Sequence, residues 1–373
     1  MEPIHRPLQL GDIFDRTFTL IGKTFFRNLS VGICVLVPAT ILLTIGLSQY
    51  FKAVGTFVTS QTAVSSHRES TFNGGRDSTA EQPVNEDEYE SPGHSTEQLH
   101  GKGSTQADLD TMKSLGGSMA IAALLYIVYI LLVITGEALC AFTVCKEIEG
   151  TPLSWSGIFS STGWRIARRS VGQSIIQFFI FSVGIALVVL AVSLFLAFLG
   201  KPGILLTVLL VLGALTLLVF LALRWMFASV AIAAEQVSVI ESLRRSYVSV
   251  RGYWWRTFGL IILFSLITMF ASSLVSTPVG FFMMWDFYSG YFHSLGSHGS
   301  SAPDPAVIQK LLGSFGWGFG LVAGLSALLQ MLIAPVYKCT MYYDLRARQR
   351  EYAESQAPPP IAPSRGFIPT GPR

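Results

Sequence analysis

Six apolar stretches, each long enough to cross a bilayer as a helix, constrain this chain more than any other feature of its sequence. They run over about 29–51, 116–145, 171–199, 203–234, 257–285 and 311–337. A hydrocarbon core about 30 Å thick takes about 20 residues of helix. Backbone N–H and C=O groups cannot face lipid unpaired, so only helices and closed barrels span it. Barrel strands alternate apolar and polar residues over about ten positions, and none of these runs alternates. The pattern predicts an all-α, polytopic membrane protein with six transmembrane helices. Charged residues make up 13% of the chain and hydrophobic ones 51%, where a soluble domain carries about 25% charged residues. That balance excludes a soluble nucleic-acid binder and a disordered protein. The first stretch exceeds the core of a cleaved leader and follows a patterned segment, so it reads as a span.

The basic residues orient the spans. Eighteen of the 26 Lys and Arg flank the spans on the side that holds both termini, Arg224 lies near that end of the fourth span, and five of the other seven lie in one long loop. The positive-inside rule counts short loops, so it places both termini in the cytoplasm of a cell (plasma) membrane protein. The 52–115 loop, the Lys201 hairpin and the 286–310 loop then face outward. The 52–115 loop carries ten acidic against five basic residues and few apolar ones. Such a segment buries too little to fold and is expected to be disordered. The 338–373 tail contains APPPIAP and is expected to be extended. Trp254 and Trp255, Trp285 to Phe292, and Tyr337, Tyr342 and Tyr343 cluster at span ends, as an aromatic belt does.

A repeated element precedes some spans. Residues 11–29 read GDIFDRTFTLIGKTFFRNL and residues 240–258 read IESLRRSYVSVRGYWWRTF, at a constant offset of 229. Arg16 matches Arg245, Phe25 and Phe26 match Trp254 and Trp255, and Arg27 matches Arg256. Leu10, Phe14, Phe18, Ile21 and Phe25 share a helical face, as do Ile240, Leu243, Tyr247, Val250 and Trp254. Ser238 and Glu241 have capping-box spacing. These read as basic amphipathic helices lying in the inner headgroup layer. Arg16, Arg27, Arg245 and Arg256 are the candidate contacts to anionic lipid headgroups. A weaker copy starts at Leu153, with Trp155, Trp164, Arg165, Arg168 and Arg169. Three copies, each beginning inside, would make a parallel repeat.

Within the spans, Glu137 is a candidate intramembrane polar site, since ionisable residues at that depth are costly. It sits nine residues before Lys146 and reads equally as a functional carboxylate or as a neutral or Arg-paired structural one. Ser265, Thr268, Ser272 and Ser276 share one face of the fifth span, suited to helix packing or to a wet path. Gly316, Gly320 and Gly324 form a doubled G-x-x-x-G in the sixth, the pattern of close helix packing within the fold or between subunits. Pro38, Pro278 and Pro335 are candidate kinks. Cys34, Cys140, Cys145 and Cys339 form no C-x-x-C pair and read as small buried hydrophobes.

No phosphate-binding loop, zinc motif or nucleophile elbow occurs, so neither catalysis nor a cofactor or metal is expected. The segments RPLQLGDIFDRTFTLIGKTFFRNL, RRSYVSVRGYWWRTFGLIILF and YYDLRARQRE together resemble the bacterial glycerophosphoryl diester phosphodiesterase membrane-domain family. That resemblance implies a six-span plasma-membrane protein. Some members carry a fused TIM-barrel phosphodiesterase, which needs about 250 residues. The longest stretch outside the spans here is the 52–115 loop, so that activity does not transfer. The expected role is a non-catalytic, lipid-interacting scaffold or accessory module. The alternatives are a transporter or lipid-flipping protein, and an accessory subunit of a membrane lipid enzyme. Partners would be membrane lipids with anionic headgroups, with a protein partner or a second copy left open.

Overall fold

The computed structural model describes residues 6–73, 100–199, 203–297 and 305–356. The middle of the acidic loop, the Lys201 hairpin, residues 298–304 of the last outer loop and the APPPIAP tail lie outside those residues. Every regular element described is helical: α1 (Leu10–Asn73), α2 (His100–Ile148), α3 (Trp155–Ile158), α4 (Ser161–Leu199), α5 (Gly203–Trp225), α6 (Ala228–Glu235), α7 (Val239–Val250), α8 (Trp254–Ser297) and α9 (Pro305–Gln356). Six helices are long and apolar enough to cross a membrane. The fold is all-α and polytopic.

Several boundaries differ from the sequence reading. The first amphipathic segment and the first span form one unbroken helix, because no turn-forming residue separates them. Residues 52–73 and 100–115, expected to be disordered, are helical. Between Pro38 and Asn73 no proline interrupts the ladder. Helices α1, α8 and α9 run through Pro38, Pro278 and Pro335.

The fourth span is divided. Its helix stops at Trp225 and resumes at Ala228. At such a break the ladder loses backbone partners, and a buried N–H or C=O left unpaired is costly. Ser246 of α7 fills the gap. Its Oγ accepts from Phe227 N (3.1 Å) and donates to Arg224 O (2.7 Å). Arg224 also lies 4.3 Å from the Phe220 ring centroid and 4.0 Å from that of Tyr247. Helix α6 ends at Gln236 in the left-handed region (φ 53°). Ser238 then caps α7 by accepting from Glu241 N at 3.4 Å, in the spacing expected from the sequence.

The chain divides into two compact units. The first comprises residues 1–28, 137–265 and 332–373. Residues Ala138 to Cys145 of α2 and most of α6 are buried on every face, as helices apolar all round are in a core. Phe14, Phe264 and Tyr337 stack in series, at 4.8 and 5.0 Å between centroids. The second unit comprises residues 29–136 and 266–331. Its core joins Leu36, Ala39 and Leu43 of α1 to Tyr129 of α2 and to Ala327 and Met331 of α9. There Gly316, Gly320 and Gly324 face Ser48, Thr44 and Thr40. A Cβ on Gly316 would lie 2.8 Å from Ser48 Cα, so only glycine permits this approach.

The two amphipathic copies bury the face opposite to the one their apolar periodicity marks. Ile13, Thr17, Leu20 and Asn28 are buried, and so are Ser242, Ser246, Ser249 and Thr257 at the same offset of 229. Leu10, Phe18, Ile240 and Tyr247 of the apolar face are exposed, Val250 being the buried exception. Where the surroundings are lipid, large apolar side chains gain little by turning inward, and small polar ones allow close backbone approach. The copies diverge at one point: α7 stops before Gly252 (φ 88°), which stands where the first copy has Lys23, and α1 continues through that position. Replacing Ser246 by Ala strands Phe227 N–H and Arg224 C=O. It is expected to cost about 1–3 kcal/mol, read as a lowered unfolding midpoint in detergent; an unchanged midpoint would refute the stitching role.

Candidate functional site

The first unit gathers most of the chemistry. Each copy of the repeated element ends in an arginine followed by a buried polar residue: Arg27–Asn28, Arg169–Ser170 and Arg256–Thr257. Each arginine reaches a backbone carbonyl just ahead of another copy. Arg27 Nη1 donates to Leu153 O (3.4 Å), before α3. Arg169 Nη1 donates to Gln236 O, and at 3.2 Å to Val237 O, before α7. Arg256 Nη2 donates to Leu8 O (2.9 Å), before α1. The first copy thus ties to the second, the second to the third and the third to the first.

Carboxylates complete two of these ties, those of Arg27 and Arg256. Glu147 and Glu235 occupy the last turns of α2 and α6, where the helix dipole disfavours negative charge. Guanidinium groups answer both. Arg27 pairs with Glu147 at 2.5 Å. Glu235 pairs with Arg245, with Arg346 at 2.7 Å, and accepts from the Tyr342 hydroxyl at 2.6 Å. Asp344 of α9 is 1% exposed. It accepts from Leu8 N (2.7 Å) and Arg348 Nε (3.1 Å), and lies 3.5 Å from Arg256 Nη2.

Three of the four arginines named as candidate lipid contacts also have partners within the chain. Arg27, Arg245 and Arg256 are engaged by carboxylates and carbonyls of their own chain, while Arg16 is half-buried on α1. Glu137 pairs with Lys338, neither with an arginine nor with Lys146, which instead bonds Glu149 at 2.6 Å. Cys145 and Cys339, both fully buried, bring their Sγ atoms to 3.4 Å. The spacing of residues along the chain gave no sign of either long-range pair.

In the second unit, a groove of about 420 Å³ runs between α8 and α9. Ser272 and Ser276 of the predicted hydroxyl face line it, and Ser276 Oγ lies 2.8 Å from Ser326 Oγ. Ser265 is exposed outside the groove, and Thr268 is half-buried. Thr268, Ser272 and Ser276 fall in the second unit, whereas Ser265 and Glu137 fall in the first. Among the described residues, no three His, Cys, Asp or Glu side chains are grouped to hold a metal ion.

A family model described as a domain of unknown function, DUF7847, matches residues 161–338. The match runs from the first residue of α4 into α9, just under half of the chain. It takes in Arg169, Arg245 and Arg256, but neither Arg27 nor Asp344. No curated protein and no solved structure matches the chain.

The Glu137–Lys338 pair is tested by charge removal. Glu137→Gln leaves a half-buried ammonium uncompensated and is expected to destabilise by up to about 3 kcal/mol, whereas Glu137→Gln with Lys338→Met recovers much of that loss. Additive losses in thermal unfolding would contradict the pairing.

Proposed function

We propose that the chain is a non-catalytic membrane scaffold that gathers anionic lipid at one bilayer surface. The observation that carries this reading is the occurrence of exposed aromatic rings with exposed cations in each copy of the repeated element. Trp255 (77% exposed) follows exposed Arg251 by four residues. Trp164 (56% exposed) sits beside exposed Arg165 and Arg168. Phe26 (77% exposed) lies one helical turn from exposed Lys23. An amphipathic ring with a neighbouring cation suits the headgroup layer, and Arg165, Arg168 and Arg251 are added as candidate headgroup contacts. The distribution of Lys and Arg supports a cytoplasmic location for this surface in the plasma membrane. The three resembling segments support kinship with the glycerophosphoryl diester phosphodiesterase membrane-domain family, with the membrane part acting apart from any catalytic barrel.

A basic residue near an anionic membrane surface contributes about 1 kcal/mol, so neutralising three is expected to lower anionic-lipid enrichment by roughly tenfold or more. The variant is Arg165→Gln/Arg168→Gln/Arg251→Gln, and the measurement is co-purified lipid after reconstitution in mixed phosphatidylglycerol and phosphatidylcholine. Unchanged enrichment would defeat the reading. In the same protein, a cysteine placed at 251 should react with an impermeant maleimide only after cells are permeabilised; labelling of intact cells would reverse the orientation.

A further inference from the structure

A cavity of about 360 Å³ opens in the first unit between α6, α7 and α9. Its polar wall is formed by Glu235, Glu241, Arg244, Arg245, Tyr342 and Arg346. We propose that it binds a phosphate-bearing anion, either a phospholipid headgroup or a soluble phosphate compound.

Three guanidinium groups face two carboxylates there, a surplus of one positive charge. Glu235 Oε1 accepts from Tyr342 and pairs with Arg346, and its Oε2 faces Arg245 as an ion pair. Arg245 also reaches Glu241 through Nε at 3.0 Å. A guanidinium carries five N–H donors, so these bonds engage only part of what Arg245 and Arg346 offer. Glu235 acts as a positioning residue, holding both planar groups in place before any ligand arrives. Arg244 is different: its nearest carboxylate oxygen, on Glu241, is 3.8 Å away and its side chain is 78% exposed, too far for a hydrogen bond. It stands at the rim as an arm free to close on an anion. Several fixed guanidinium forks around one polar space match the tetrahedral oxygens of phosphate better than ammonium groups would. A cluster whose task was only to join three helices would need neither the third arginine nor the open volume.

The cavity also borders apolar surface. Val248 lines it and is exposed, and Ile240 and Tyr247 of the same helix are exposed as well. A lipid whose head enters the cavity would find an apolar helix edge for the first part of its chains. The inference shares the bilayer placement of the scaffold reading but rests on different residues, so the two fail separately.

The test is isothermal titration of the full chain in detergent with two probes, inorganic phosphate and dihexanoyl phosphatidic acid. Saturable binding is expected, weakened by about fivefold or more in Arg244→Gln as a charge-assisted contact is lost. Binding should tighten in Glu241→Gln, which removes an opposing carboxylate and keeps the shape of the side chain. Arg350→Gln, an exposed arginine outside the cavity, should leave binding unchanged. Binding of both probes assigns the site to phosphate itself, and binding of the lipid alone assigns it to a headgroup. Failure of both probes to bind would overturn the proposal. So would indifference to Arg244→Gln, no gain in Glu241→Gln, or an equal loss in Arg350→Gln.

Discussion

Arginine bonded to the backbone of another repeat is the interaction on which the first unit depends. Arg27, Arg169 and Arg256 end three related segments, and each donates to carbonyls that open another of them. Apolar burial cannot provide such specificity inside a bilayer, because lipid tails solvate leucine as well as protein does. A guanidinium bound to a carbonyl and a carboxylate is directional and strong when partly dehydrated. Arg27 and Arg256 are bound in this way and Arg169 to carbonyls alone, and the three ties link the copies in cyclic order.

The acidic partners follow from the same constraint. A helix that ends near the interface presents unpaired carbonyls and a negative dipole end. Placing Glu147 and Glu235 there is costly unless a cation is bound, and it makes each arginine hard to remove without leaving a buried charge. Asp344 works differently, since it lies within α9 and accepts from the amide of Leu8. It thereby holds the start of the chain beside α9. Small polar residues such as Thr17, Ser242 and Ser246 occupy the buried face of the repeated elements, which leaves the aromatic and aliphatic side chains free to meet lipid.

Much of the architecture was legible in the sequence because hydrocarbon thickness dictates run length, and runs can be counted. The Ser238–Glu241 cap and the 229-residue offset were equally visible, being local or periodic. The internal use of Arg27 and Arg256 was not, because a basic residue beside a span looks the same whether it meets phosphate or a carboxylate from 88 or more residues away. The break at Met226 and Phe227 left no trace in hydropathy, since the residues around it are as apolar as the span. Its only signal was Ser246, one serine among several on α7. The glycine spacing in α9 pointed to close packing, and the facing residues Thr40, Thr44 and Ser48 repeat at the same interval of four.

The account stands most directly on the coupling between Arg256 and Asp344. A double-mutant cycle of Arg256→Gln and Asp344→Asn, followed by denaturant unfolding in detergent, isolates it. A coupling of about 1–3 kcal/mol is expected for charged partners sharing one network, whereas additivity within about 0.5 kcal/mol would mean that the two groups act independently and that the third tie does not hold the chain's beginning to α9.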